Sequence, residues 1–266
     1  MFFRLPALGH FHFLLDFFKV SNHNIYRETR SGSLLRLGLS DSESPCFLKG
    51  MIMKKRRAIA YIDGFNLFYS SLKGTPHKWL DLVSLCESFL KQNDELIAVK
   101  YFSAIVSSFG NDSGRSDRQR IYLEALQTNP KIEIQLGHFS VHKTRMPLAA
   151  DWKRGKIVLA EVIKTEEKGT DVNLAVQMTA DAKDSLFDYA LLFSNDSDMA
   201  HSVKIVHNDC GKQVGLFIDN KSTTIKTLKE NVLHIKRLSQ AKFAEHQLPE
   251  KIITATGRTI TKPKVW

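Results

Sequence analysis

The stretch Ala58-Ile-Ala-Tyr-Ile-Asp63-Gly-Phe-Asn66 decides how the chain is read. Five apolar residues in succession, two of them β-branched, predict a strand buried on both faces rather than one with a wet side. The strand closes on an acid, and Gly64 follows where the backbone must turn sharply. Upstream, Lys54 to Arg57 is a short basic run. Downstream, Leu67, Phe68 and Leu72 recur at helical spacing over 66–73, and Leu82, Leu85, Phe89 and Leu90 repeat that pattern over 80–90. The alternation continues, with strands expected at 95–105, 132–139, 189–194, 213–218 and 232–238 and helices at 117–128, 171–183, 197–208 and 223–230. Residues 143–156 read as basic and irregular, and 156–163 as a short strand or helix. Apolar strands alternating with amphipathic helices predict an α/β fold with a mostly parallel sheet covered on both faces.

With 266 residues, 43% hydrophobic and 25% charged, the chain has the composition of a folded protein of one large or two small domains. There are 38 Lys and Arg against 28 Asp and Glu, a formal charge of +10, which favours a polyanionic partner. Cys46, Cys86 and Cys210 form no C-x-x-C pair, so neither a disulfide framework nor a structural zinc site is indicated, and a reducing, cytoplasmic location is expected. Cys86 and Cys210 lack a nearby His partner in sequence, which argues against a thiol nucleophile.

The two ends differ from this body. Seven of the 17 Phe lie within residues 1–50; Arg4, Pro6, His10, His12, Asp16 and Lys19 interrupt any run of the roughly 18–20 apolar residues that a membrane span needs. This segment is expected to be a poorly ordered extension; one reading has translation starting at Met51 or Met53. Residues 239–266 carry five Lys and Arg against two Glu and read as a basic tail after a domain spanning 51–238.

Acids at strand ends carry the functional reading, because open parallel sheets bind ligands beyond the carboxyl ends of their strands. Asp63 closes the first strand, Asp196 and Asp198 follow Leu191-Leu-Phe-Ser-Asn195, and Asp219 closes Gly215-Leu-Phe-Ile218. Asp171 lies in Lys168-Gly-Thr-Asp171, where Gly169 permits a turn and Thr170 could cap a helix. Any one of these acids could simply cap a helix or turn. Several converging would repel one another unless a cation intervened, and oxygen donors without His or Cys suit Mg²⁺ or Mn²⁺. An acidic metal site with a basic surround suits phosphodiester hydrolysis.

Tyr61-Ile-Asp-Gly-Phe-Asn-Leu-Phe-Tyr69, Glu167-Lys-Gly-Thr-Asp-Val-Asn-Leu-Ala175 and Leu192-Phe-Ser-Asn-Asp-Ser-Asp198 resemble, in order, the three signature segments of NYN domains, the LabA-like branch of the PIN-like nuclease superfamily. The resemblance covers about residues 56–238, and Arg118-Gln-Arg-Ile-Tyr-Leu-Glu-Ala-Leu126 resembles the family's second amphipathic helix. It implies a PIN-like, Rossmann-like α/β/α sandwich and a metal-dependent ribonuclease acting on RNA, with single strands preferred. Asp63, Asp171, Asp196 and Asp198 fall at the positions of the family's acidic cluster. Asp63 and Asp196 would be the strongest ligands; Asp171 would bind a second metal or act through water; Asp198 would bind metal or cap its helix. Asn66 matches the companion amide, Ser194 and Asn195 would hold the carboxylates, and Lys168 joins them in positioning substrate.

A non-catalytic RNA-binding or regulatory module using the same cleft is the alternative, and a toxin-like or phage-defence assembly, a protein partner or a homo-oligomer stays open. Arg115, Arg118, Arg120, Lys143, Arg145, Lys153, Arg154 and Lys156 could line the approach, with Trp152, Phe139 or Tyr122 stacking on bases. The null for these is an ordinary solvated surface. His138 and His142, four apart, would share a metal only on a helix, and they fall at a strand end and in a loop. Glu124 is a further carboxylate that could equally pair with Arg120.

Overall fold

In a computed structural model the described residues are 18–21, 24–28, 34–36, 55–106, 112–149, 154–155, 157–220 and 226–266. The chain divides into two compact units, Met1–Met53 and Lys54–Trp266. The first contains an antiparallel meander of β1 (Phe18–Ser21), β2 (Asn24–Glu28) and β3 (Leu34–Arg36). The expectation of a poorly ordered extension, and the Met51 or Met53 start, fall largely outside the described residues.

The second unit is built on a six-stranded sheet whose members are β4 (Arg56–Asp63), β5 (Asp94–Ser103), β6 (Ile132–Leu136), β9 (Tyr189–Phe193), β10 (Gln213–Asp219) and β11 (His234–Leu238). Between β6 and β9 the chain makes β7 (His138–Pro147) and β8 (Leu159–Lys168) outside this sheet. All five pairings within the sheet are parallel, in the order β11-β10-β9-β4-β5-β6. Counted along the chain this is 3-2-1-4-5-6 read from the β6 edge, the doubly wound order, with the winding reversing between β4 and β9.

The quoted strand runs through the middle, and its last six residues are all buried. Ala58, Ala60 and Ile62 face one apolar layer, which includes helix α2 (Leu82–Glu87) and helix α3 (Arg115–Gln127). Ile59 and Tyr61 face the other, packed by α4 (Thr170–Lys183) and α5 (Ala200–Lys204). Two covered faces explain the unbroken apolar run. The short helix α1 (Gly64–Leu67) and a π turn (Phe68–Leu72) leave the end of β4 directly. The expected α/β/α sandwich is the observed architecture, with the sheet parallel throughout.

Two segments differ from expectation. Instead of an irregular basic stretch, β7 and β8 form an antiparallel ribbon of ten residue pairs from His138–Lys168 to Pro147–Leu159. Its exposed faces carry cross-strand charge pairing, such as Lys143 Nζ to Glu161 at 3.4 Å, in place of the apolar alternation that marks a half-buried strand. The stretch 239–266, expected as a tail, carries α6's successor α7 (Gln240–Glu245), α6 being Lys226–Lys229, and the hairpin β12 (Lys251–Ile253) with β13 (Thr259–Thr261). Phe243 and Ile260 are buried in the layer that holds α2. Trp266 stacks edge-on near Trp79 (6.3 Å between ring centres) and Tyr122 (5.8 Å). The Trp79 indole N–H donates to the Pro249 carbonyl at 2.8 Å.

Candidate active site

The reversal between β4 and β9 places their carboxyl ends side by side, so Asp63 at the end of β4 meets the loop 194–198 that follows β9. Asp63 is 4% exposed. One of its oxygens accepts from the Asn66 backbone N–H at 2.9 Å, capping α1, and the other accepts from the Ser194 hydroxyl at 3.2 Å. The buried Ser194 oxygen in turn accepts from the Asp196 N–H at 3.2 Å. Asp196 caps the 3-10 turn Ser197–Met199 by accepting from the Asp198 N–H at 3.0 Å. A chain of short-range hydrogen bonds therefore sets Asp63 and Asp196 against each other.

Asp171 arrives from the other side, in the first turn of α4. Gly169, at φ +93°, turns the chain from β8 into that helix in a left-handed conformation that side chains disfavour. The carboxylate of Glu167 accepts from the Thr170 N–H at 3.0 Å and from its hydroxyl. At the base of the ribbon, a Cβ on Gly137 would stand 2.5 Å from the Lys168 carbonyl, so the glycine lets β7 pass close to this turn.

The charges of these acids act on one another. The Asp63 carboxyl is pushed up to about 6, chiefly by burial and then by the charges of Asp171 and Asp196, against the lowering effect of the bonds from Asn66 and Ser194. Burial also raises Asp171, followed by Asp196, Glu167 and Asp198. Five carboxylates thus share one end of the sheet, held at a cost that a cation would relieve. The donor set is all oxygen, which fits a hard divalent ion. Among the described residues no three His, Cys, Asp or Glu side chains stand close enough to hold an ion as they are.

Of the expected acids, Asp171 and Asp196 act on the charge of Asp63, and Asp196 and Asp198 on that of Asp171, while Ser194 hydrogen-bonds both Asp63 and the Asp196 backbone. Asn66 contributes its backbone N–H; Asn195 lies half-buried between Ser194 and Asp196. Of the two options for Asp198, the cap belongs to Asp196. Lys168 is exposed, 3.9 Å from Glu166. Asp219 closes β10, which lies on the other side of β9 from β4. Glu167 was not singled out by sequence reasoning, because it lies in β8 and only the turn at Gly169 brings its carboxylate back to Thr170.

Of the basic rim, Lys153, Lys156 and Trp152 lie outside the described residues. Arg118 pairs with Asp112, Lys143 with Glu161, and Arg115 donates to the Tyr69 hydroxyl at 3.1 Å. Tyr122 is buried, with its hydroxyl donating to the Leu80 carbonyl at 2.8 Å, and does not present a stacking face. Phe139 packs edge-on against Phe65 at 5.6 Å. Glu124 pairs with Arg258 rather than Arg120. His138 and His142 are on one strand, where four residues span about 13 Å, too far to share a metal. The Cys86 thiol is fully buried and raised by burial.

A protein 30% identical over 238 residues, covering 79% of this chain and 75% of its own, is the 6-hydroxy-3-succinoylpyridine 3-monooxygenase HspA of Pseudomonas putida (strain DSM 28022 / S16). A crystal structure of a protein of unknown function from Vibrio parahaemolyticus RIMD 2210633 superposes with a TM-score of 0.47 at 16% identity, over 73% of this chain and 98% of that one. Among the described residues no helix is long and apolar enough to cross a membrane. The family model of the NYN domain matches residues 57–235, and the chain belongs to the NYN domain family, within the PIN-like nuclease superfamily.

Proposed function

We propose that the protein is a metal-dependent ribonuclease that hydrolyses phosphodiester bonds of single-stranded RNA at the end of β4 and β9. The observation that carries this reading is that Asp63 at the end of β4 and Asp196 after the adjacent β9 meet at a topological switch point and are joined through the Ser194 hydroxyl. A Mg²⁺ or Mn²⁺ ion held by Asp63 and Asp196, with Asp171 and Asp198 beside them, would supply an activated water and offset charge on the leaving oxygen. The chain's own residues prepare the place for it. Ser194 and the Asn66 N–H orient the Asp63 oxygens, Asp196 is fixed by its cap, and Glu167 anchors the turn that presents Asp171. Arg115 and Lys168 would hold the strand by its phosphates.

The test is cleavage of a labelled single-stranded RNA pool with Mn²⁺, Mg²⁺ or EDTA, by wild type, Asp63→Asn and Asp196→Asn. Cleavage should require metal and vanish in both variants. Metal-independent cleavage, or cleavage equal in the variants, would sink the reading. RNA binding without cleavage in the wild type would favour a regulatory module using the same cleft.

The Pseudomonas putida relative favours a second reading, oxygenation of a small heteroaromatic ring. It predicts dioxygen uptake in the presence of 6-hydroxy-3-succinoylpyridine and an added two-electron donor, with no metal-dependent RNA cleavage.

A further inference from the structure

Beside the carboxylates, on the face of the sheet that carries α2 and α3, lies a cavity of about 80 Å³ whose walls include Gly64, Phe65, Tyr69, Tyr101, Arg115 and Trp266. None of the acids lines it, and of its walls the reaction proposed above uses only Arg115. Its composition is that of a ring receptor. The Phe65 and Tyr69 rings are nearly parallel, 16° apart with centres at 6.2 Å, and Phe139 of the ribbon braces Phe65 from the side. Tyr69 is 48% exposed, with Phe65 stacked on its ring and Phe68 edge-on to it, so an entering ring would meet its solvent-exposed part. Cations cluster on the same ring: the Arg115 guanidinium donates to the Tyr69 hydroxyl, and the Lys73 ammonium lies 5.0 Å above the Tyr69 ring. The volume is far below the ~300–1,000 Å³ of clefts that enclose whole small molecules, and suits a single planar ring.

The cavity is linked to the acids by Gly64, which follows Asp63 in the chain. Its Tyr101 wall is a buried phenol raised first by burial and also by the charge of Asp63. Gly64 is the spacer, since a Cβ there would stand 2.5 Å from the Tyr101 hydroxyl. The cavity wall therefore begins at the residue that follows Asp63 in the chain.

We propose that this cavity is a base-binding pocket, taking one unpaired nucleobase of the RNA on the Phe65 and Tyr69 rings with an adjoining phosphate on Arg115, and so setting which phosphodiester meets the carboxylates. The proposal rests on the ribonuclease reading for the identity of the strand, but its own chemistry is aromatic stacking beside a fixed cation. Stacking on aromatic side chains is tolerant of base identity, so the pocket selects for an unpaired base rather than for a sequence.

The experiment uses the full chain in EDTA, where no cleavage intervenes, and a single-stranded RNA oligonucleotide with 2-aminopurine at one position. Fluorescence should change on binding to wild type. Tyr69→Ala should weaken binding by roughly 5- to 150-fold, the range expected for one stacked base, while Tyr69→Phe keeps most of the affinity. An abasic residue at the probe position should weaken binding to wild type by a similar factor and leave Tyr69→Ala unaffected. Arg115→Ala should lower the salt dependence by about one phosphate contact. Equal affinity of wild type, Tyr69→Ala and Phe65→Ala for the base-containing and abasic strands overturns the pocket. Tyr69-dependent binding of 6-hydroxypyridine-3-carboxylic acid with none of the oligonucleotide overturns it too, in favour of a free small ring. If the oligonucleotide binds through Tyr69 but no metal elicits cleavage, the ribonuclease reading fails and the pocket stands. Cleavage with the same KM in wild type and Tyr69→Ala removes the pocket alone.

Discussion

Asp63→Asn should abolish activity and yet make the protein more stable at neutral pH. The Asp63 carboxyl is 4% exposed and is pushed up to about 6, chiefly by burial and then by Asp171 and Asp196. An acid whose native value lies above its ordinary one holds its proton more tightly folded than unfolded. Its contribution is therefore favourable below about pH 4 and is lost as pH rises through 6. From 3.8 to about 6, at ~1.36 kcal/mol per pH unit, the loss at pH 7.5 is about 3 kcal/mol. Asparagine removes the charge and keeps an oxygen for the Asn66 N–H. Reorganising the Ser194 contact costs about 1 kcal/mol, leaving a net gain of about 2 kcal/mol, or about 4–8 °C in Tm for a unit of this size. Thermal unfolding in EDTA at pH 4 and pH 7.5 measures it: the wild type should lose stability across this interval relative to the variant, and the two curves should cross. Adding Mn²⁺ should raise the wild type and not the variant, because only the charged site gains from a cation. A variant less stable than wild type by the same margin at both pH values would refute the claim that like charge and burial strain this site.

Three further outcomes follow from contacts away from the acids. Asp181 is buried and accepts from the Tyr61 hydroxyl at 2.6 Å, the Gln177 amide at 2.8 Å and the Lys100 ammonium at 2.8 Å, tying α4 to β4 and β5. Asp181→Ala strands these donors and should cost about 3–5 kcal/mol in urea unfolding, while the double change with Lys100→Met recovers much of it. Gly64→Ala drives a Cβ to 2.9 Å from the Phe102 carbonyl as well as into the buried Tyr101 ring; a loss of about 1–3 kcal/mol should accompany a fall in RNA cleavage. Arg56 holds the Asp94 carboxyl below its usual range through hydrogen bonds at 2.8 and 2.9 Å. That depression stabilises the fold above about pH 4 and is lost as pH falls further, so Asp94→Asn should flatten the acid limb of a stability profile measured by circular dichroism.

How much of this was legible depends on what each residue touches. The strand 58–63 could be read because both of its faces are covered, which leaves an apolar run with no polar interruption. The ribbon could not, because burial alternates along 159–168 while hydrophobicity does not: Ala160, Val162, Lys164 and Glu166 are half-buried and Leu159 and Ile163 are exposed. The C-terminal packing rests on Phe243, Ile260 and Trp266, too widely spaced to form a period. The ring-lined cavity draws on residues from 64 to 266 that only the tertiary fold assembles. Strand order matters most for the candidate site. In the sequence Asp219 closes its apolar strand just as Asp63 does, so the two look equivalent. In the sheet β9 lies between β10 and β4, which at about 4.8 Å per strand sets the end of β10 about 10 Å from that of β4. Asp196 follows the strand adjacent to β4, and its charge registers on Asp63. An acid at a strand end is thus only a candidate; adjacency at the point where the winding reverses decides which acids share one charge environment.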